Sequence, residues 1–184
     1  ALLRKLWIII GALVIGGAIG GAYSYFLLTP QYTSTAKIYV LTKETTLTSL
    51  ADLQIGTQLT QDYKTIITGR SVMEEVVDKL HLDMDYKKLV KKIEVENPKD
   101  TRILSISAQD PDAEMAKKIV DTTAEVASDY VGEIMEMTPP KLIESGEVAV
   151  KKTSPSNTKN AAIGALIAAF LVCAYISLTV ILND

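Results

Sequence analysis

Two uninterrupted apolar runs frame the chain. Leu6 to Leu28 (LWIIIGALVIGGAIGGAYSYFLL) and Ala161 to Leu182 (AAIGALIAAFLVCAYISLTVIL) each pass without a single charge. A helix rises about 1.5 Å per residue, so either run can cross a hydrocarbon core of about 30 Å. A cleaved signal has an apolar core of only about 7–15 residues. The first run continues through Tyr25, Phe26, Leu27 and Leu28, which predicts a retained anchor. Arg4 and Lys5 precede it and belong on the cytoplasmic side, which puts both termini inside and the middle of the chain outside. The second run gives this orientation weaker support, because Lys151, Lys152 and Lys159 lie on its outer flank. Basic residues in a cytoplasmic tail beyond Asp184 are expected to restore the usual bias.

Between the runs the periodicity changes repeatedly. Tyr32 to Leu41 alternates through Ser34, Ala36, Ile38 and Val40 and is rich in Thr, Tyr, Ile and Val, which predicts a strand. Lys43 to Ser49 (KETTLTS) reads as a polar loop. Asp52 to Ile67 places Leu53, Ile55, Leu59, Tyr63, Ile66 and Ile67 at helical spacings, and Gly69 ends that helix. Ser71-Val72-Met73-Glu74 matches a capping box, followed by Val76, Val77 and Leu80 on one face. Asp85 to Val90 predicts a short helix. Lys92 to Glu96 and Thr101 to Ala108 both alternate across Asn97-Pro98-Lys99-Asp100, a hairpin with a loop of about four residues. Asp110-Pro111 predicts a long helix, capped by Asp110, with a buried stripe from Ala116 to Ile134. Thr138-Pro139-Pro140 stops it, and Leu142 to Val150 reads as a final strand that can pair with the first. The predicted class is an α+β extracytoplasmic domain, a small mixed sheet with helices, between two transmembrane helices.

Composition narrows the function classes. The chain is 48% hydrophobic, with a mean hydropathy of +0.20. Setting aside Arg4, Lys5 and Asp184 from its 19 basic and 22 acidic residues leaves a net −4 from Gln31 to Lys159, which excludes a bulk nucleic-acid binder. His81 is the only histidine, and Cys173, the only cysteine, lies inside the second run. A single chain therefore builds no histidine dyad, zinc site or disulfide framework. No G-x-x-x-x-G-K-[ST] phosphate loop is present, so the chain is not itself a nucleotide-dependent kinase of that type. Neither a cofactor nor a metal is expected. The acidic pairs Glu74/Glu75 and Asp83/Asp85 read as solvated faces.

Two constellations remain. Lys87, Lys88, Lys91 and Lys92 stand on neighbouring helical turns, either as a solvated face or as a patch for lipid headgroups or an anionic glycan. Arg70 and Arg102 join them as candidate contacts, with Asp100 as a possible partner for Arg102. In the apolar runs, Gly16/Gly20 and Gly17/Gly21 are overlapping G-x-x-x-G pairs, and Gly164, Ala165 and Ala168 give the second run a small-residue face. Such faces let membrane helices approach closely. Ser154, Pro155 and Asn157 form a joint before the second run: Pro155 restricts the backbone, and Asn157, Thr158 and Asn160 are available as caps.

The order of basic flank, span, Thr-rich strand, helical excursion, hairpin, long helix, return strand, proline-containing joint and span resembles the Wzz-type chain-length determinants, or polysaccharide co-polymerases. It is most similar to the Gram-positive branch, the capsule-type membrane modulators of bacterial tyrosine kinases. Tyr32-Thr33-Ser34-Thr35-Ala36-Lys37-Ile38-Tyr39-Val40, Asp100-Thr101-Arg102-Ile103-Leu104-Ser105-Ile106-Ser107 and Ser154-Pro155-Ser156-Asn157 carry the resemblance. The family's joint is often richer in proline, and here only Pro155 lies close. The resemblance implies a non-enzymatic membrane ring, often of about eight copies, that regulates polymer length beside a polymerase and a lipid-linked glycan. It also implies a cytoplasmic tyrosine kinase as partner, reached through a tail. A hydrolase of lipid-linked phosphates, using Arg70 or Arg102 across a subunit interface, and a two-span sensor are the alternatives. The expected layout is a cytoplasmic flank (1–5), a first transmembrane helix (6–28), the extracytoplasmic domain (29–152), the joint (153–160), a second transmembrane helix (161–182) and the start of a cytoplasmic tail (183–184), in the plasma membrane.

Overall fold

The computed structural model describes residues 6–40, 61–98, 101–136 and 138–182. Contacts divide the chain into two compact units: one contains the two terminal helices, and the other is Gln31–Lys152.

The first unit consists of α1 (Leu6–Phe26) and α6 (Asn157–Leu182). Trp7–Phe26 has a mean hydropathy of 1.7 and Asn157–Thr179 one of 2.4. Only 11% and 6% of the most apolar windows are buried against protein, so neither is the core helix of a soluble fold. Both are long and apolar enough to cross a bilayer.

The second unit is built on a four-stranded sheet in the order β2-β3-β1-β4. Its strands are β1 (Tyr32–Tyr39), β2 (Ile93–Glu96), β3 (Ile103–Asp110) and β4 (Lys141–Glu144). Every neighbouring pair is antiparallel, so the sheet is not mixed. The alternation read in the sequence becomes the two faces of the sheet. Ser34, Ala36 and Ile38 pair with Ala108, Ile106 and Leu104 on the buried face, and β2 adds Ile93 and Val95 there. On the other face Thr35 and Ser107 share a 2.8 Å hydrogen bond, and Lys37 reaches Glu144 at 2.7 Å.

The helices α3 (Arg70–Lys79), α4 (Tyr86–Val90) and α5 (Ala113–Met135) complete this unit, together with helical residues 61–67, here α2. The loop predicted at Lys43–Ser49 and the first part of the Asp52–Ile67 helix lie outside the described residues. The α5 helix packs on β1 and β3, and α3 packs on α5. Ala116, Ile119, Val120, Thr123, Ala127 and Val131 are buried on α5, whereas Ile134, expected in the same stripe, is exposed.

The ends of several elements differ from the sequence reading. The α3 helix is capped by extended Gly69, with no side-chain cap; Ser71 is already helical, and Glu74 pairs with Arg70. The α5 helix is capped by Asp112, whose carboxylate accepts from Glu114 N, and not by Asp110. Asp110 stays in β3, where Lys92 holds one carboxylate oxygen and Asp112 N donates to the other. Glu136, in the left-handed conformation (φ 49°), ends α5 before the prolines. The hairpin connection runs from Asn97 to Arg102, longer than four residues. The last strand stops at Glu144. Beyond it Gly146 N donates to Asp121 Oδ1 (2.7 Å) and Ser34 Oγ donates to Glu147 O (2.8 Å), so hydrogen bonds to α5 and β1 replace the expected ladder.

Tyr63, on α2, is fully buried, and its hydroxyl has no partner among the described residues. Burial pushes its pKa above the usual tyrosine value of about 10. The neutral form is favoured in the folded state, so this contribution is complete below the unfolded pKa and is lost as pH rises through the folded one. Replacing Tyr63 by Phe removes a buried polar atom that gains nothing. Tyr63→Phe is expected to melt at the same temperature or higher at neutral pH, and to lose less stability than the parent on alkaline titration above about pH 10. A clear drop in melting temperature at pH 7 would contradict this.

Candidate functional site

The basic residues singled out in the sequence fall into three groups in the fold. Arg70 is the first residue of α3 and Tyr86 the first of α4, and these two helices pack together. The Arg70 guanidinium lies 5.7 Å from the Tyr86 ring centroid, and Lys87 Nζ lies 5.8 Å from it. A tyrosine ring attracts cations through its quadrupole, so Tyr86 holds two positive charges at one corner. Glu74 accepts a 2.7 Å bond from Arg70 Nε one turn along α3. That bond, then the carboxylate's charge, pushes the exposed guanidinium's pKa further up.

Lys88 and Lys91 are exposed beside Lys87, while Leu89 points inward and is fully buried. The short α4 is thus anchored by one leucine and presents its lysines outward. Lys92 is separate: its Nζ lies 2.7 Å from Asp110 Oδ2, and both side chains are partly buried. Arg102 lies at the other end of β3 from Asp110, about 26 Å along the strand. Its carbonyl accepts from Val40 N at 2.8 Å. The expected pairing with Asp100 lies outside the described residues. Tyr86 therefore brings Arg70 and Lys87 together, Lys88 and Lys91 are exposed close by in sequence, and Lys92 and Arg102 lie elsewhere. Tyr86 was missed, although an aromatic residue directly before Lys87-Lys88 was its signal.

His81 sits just past the end of α3 with φ 49°, donating its backbone N–H to Asp78 O. Among the described residues, no three His, Cys, Asp or Glu side chains cluster as a metal site.

In the helical unit, the small residues of α1 and α6 face one another. A Cβ added to Gly16 would collide with Ala168 Cβ and stand 2.5 Å from Gly164 O. A Cβ on Gly164 would stand 2.5 Å from Gly16 O, and one on Gly20 would stand 2.6 Å from Asn160 O. The second pair is looser: Cβ atoms on Gly17 and Gly21 would meet Ala161 and Ala165 only at 3.6–3.7 Å. The glycines at 16, 20 and 164 thus let two backbones touch where side chains would part them.

A polar contact lies eight residues along α1 from Gly16. Ser24, fully buried, donates to Asn157 Oδ1 (3.0 Å) and accepts from Asn160 Nδ2 (2.9 Å). Asn157 and Asn160, read as capping residues, turn their amides to Ser24. Ser156 Oγ instead accepts from Lys159 N, at 3.4 Å. The Ser154–Pro155 peptide just before is cis.

Comparison with known proteins follows from this architecture. A family model described as "Wzz: Chain length determinant protein" matches residues 1–80. Capsular polysaccharide biosynthesis protein CpsC of Streptococcus agalactiae is 35% identical over 189 residues, covering 100% of this chain and 82% of that protein. CpsC of Streptococcus pneumoniae is 36% identical, covering 90% of this chain and 75% of its own length. The probable capsular polysaccharide biosynthesis protein YwqC of Bacillus subtilis is 30% identical over 86% of this chain and 64% of its own.

Proposed function

We propose a function from one premise: the chain belongs to the chain length determinant (Wzz) family. It acts in capsular or extracellular polysaccharide biosynthesis as a membrane co-polymerase that regulates chain length. The observation that carries this reading is similarity along the whole chain to CpsC, joined to two helices able to span a membrane on either side of an α+β unit.

In this reading the protein is a scaffold rather than an enzyme. Several copies assemble side by side, in a ring of about eight, around the growing lipid-linked glycan and its polymerase. The α+β unit lies outside the cell, and both chain ends face the cytoplasm, where a tyrosine kinase is the partner. Arg4 and Lys5 support that orientation. The corner formed by Arg70, Lys87, Lys88 and Lys91 contacts the anionic groups of the glycan. Its cations suit that role because one ring gathers Arg70 and Lys87, and Lys88 and Lys91 are exposed next to Lys87 in the chain.

The test is a size distribution of the polymer made by cells. Deleting the chain should abolish the preferred length while sugar is still incorporated. Replacing Arg70, Lys87, Lys88 and Lys91 together by Ala should shift the preferred length without lowering the amount of protein in the membrane. An unchanged distribution in the deletion strain overturns the function, and an unchanged one in the fourfold variant overturns the role of the corner.

A further inference from the structure

The α+β unit exposes its large apolar side chains unevenly. Among its described residues, those markedly exposed are Ile134, Leu142, Ile143, Val148 and Val150, all within one stretch of the chain. Leu142 and Ile143 are the middle of β4, an edge strand exposed at all four positions. A strand with apolar side chains open on both faces and one free edge is a template for another strand.

The sheet has an even number of strands, and each neighbouring pair is antiparallel. Its two edge strands, β2 and β4, therefore run in opposite directions, and each has four residues. Shifting one copy across the sheet places its β2 beside β4 of the first, still antiparallel, and leaves the copy's orientation unchanged. Repeating that shift adds copy after copy, whereas antiparallel pairing of β4 with itself needs a twofold axis and stops at two copies.

The charges distinguish the same two arrangements. On the face away from the core, β2 presents Glu94 and Glu96, and β4 presents Lys141. The other charge of β4, Glu144, is held by Lys37. Glu96 pairs with Ser105 and Lys141 with Tyr39, positions on the outer face; Val95 pairs with Ile106 and Leu142 with Ile38, positions on the core face. Lys141 can therefore face Glu94 or Glu96 with an apolar pair beside it, and the register with Glu96 is the one that overlaps all four residues of both strands.

We propose that β4 of one copy pairs with β2 of the next, with Lys141 opposite Glu96 and Leu142 opposite Val95, so that the sheets of neighbouring copies run into one another. This rests on the side-by-side assembly in the reading above. It names the surface by which a second copy is recognised, and it puts the exposed Leu142 and Ile143 at that seam.

The test uses the full chain in its membrane with Cys173→Ala, which removes the only cysteine. Paired strand residues have Cα atoms about 4.5–5.5 Å apart, within the range that a disulfide spans. Lys141→Cys combined with Glu96→Cys should, under mild oxidation, give cross-linked species of three or more copies. Each cysteine alone should give none. Independently, Lys141→Glu should shift the assembly towards monomer, and adding Glu96→Lys should restore it. Dimers from Lys141→Cys alone would show twofold pairing and overturn the proposal. If the parent protein is an oligomer but the double variant stays uncross-linked, this seam is wrong while the assembly stands. If the parent is a monomer, both fall.

Discussion

Gly164→Ala is expected to separate α1 from α6, whereas Gly17→Ala leaves them paired. The two substitutions add the same methyl group to the same helix pair, so the difference rests on distance alone. At Gly164 the new carbon would stand 2.5 Å from Gly16 O and 3.1 Å from Gly20 Cα. Those neighbours are backbone and cannot rotate away, so the helices must part. At Gly17 the nearest atoms are Ala161 O at 3.6 Å and Ala165 Cβ at 3.7 Å, which is ordinary contact. Overpacking of this kind costs about 1–3 kcal/mol and occasionally more. Association inside a bilayer depends on close packing, with little hydrophobic drive to compensate. Gly16→Ala and Gly20→Ala should behave like Gly164→Ala, and Gly21→Ala like Gly17→Ala, within about 0.5 kcal/mol of the parent. Thermal unfolding in detergent, read with a proximity probe between the helices, measures this. Equal damage at Gly16 and Gly17 would show that the tight seam is not where the structure puts it.

Gly146→Ala is expected to be the most damaging small substitution in the α+β unit. An added Cβ would stand 2.5 Å from Ser34 Oγ, 2.6 Å from Val120 Cγ1 and 3.3 Å from Asp121 Oδ1. β1 contributes Ser34 and α5 contributes Val120 and Asp121, so the chain at 146 is wedged between two elements. Backing away stretches both local tethers, Gly146 N to Asp121 (2.7 Å) and Ser34 to Glu147 O (2.8 Å). Overpacking plus the loss of a hydrogen bond to a charged group amounts to about 2–4 kcal/mol. Asp121→Ala keeps the space and removes the acceptor, which Lys117 also uses, and should cost about 1–3 kcal/mol. Adding Val120→Ala to Gly146→Ala removes one obstructing methyl, so the double variant should cost less than the sum of the singles. Denaturant unfolding of the parent, the three single variants and the double variant reads these differences. Strict additivity would mean that Val120 does not confine Gly146.

The sheet was legible because β1 and β3 bury one face and leave the other partly open, so alternation in the sequence maps directly onto the fold. The last strand and its pairing with β1 were also legible, but its end at Glu144 was not, since all four of its residues are exposed and no alternation marks where it stops. Helix existence was easier to read than helix ends. Ser71 and Glu74 have capping-box spacing, but an extended Gly69 starts the helix earlier and Arg70 takes the glutamate. Asp110 and Asp112 both flank Pro111. Which one caps depends on Lys92, which holds Asp110 in the strand from eighteen residues away. The candidate surfaces divide in the same way. Helical spacing put Lys87, Lys88, Lys91 and Lys92 together, whereas the contact of Arg70 with Tyr86, on another helix, had no local signal. Small-residue spacing found the glycines but did not rank them, because the tight and loose pairs differ only in distance to the facing helix. Ser24 had no local signal beyond being a hydroxyl in an apolar run, for its partner Asn157 is 133 residues away.

Together, Ser24 and the tight glycines constrain α1 and α6 mechanically. On α1, Ser24 lies eight residues from Gly16 and four from Gly20, about 12 Å and 6 Å along the axis. The glycine contact acts as a saddle that resists lateral rotation, and the serine–asparagine pair acts as a pin that resists axial slip. A slip by one helical turn, about 5.4 Å, would break both hydrogen bonds between Ser24 and the two asparagine amides. With the saddle and the pin engaged, the low-cost motions are those of the pair as one body: a tilt, a piston stroke or a rotation about a common axis. A displacement of either helix then tends to carry the other with it, as in a two-legged strut.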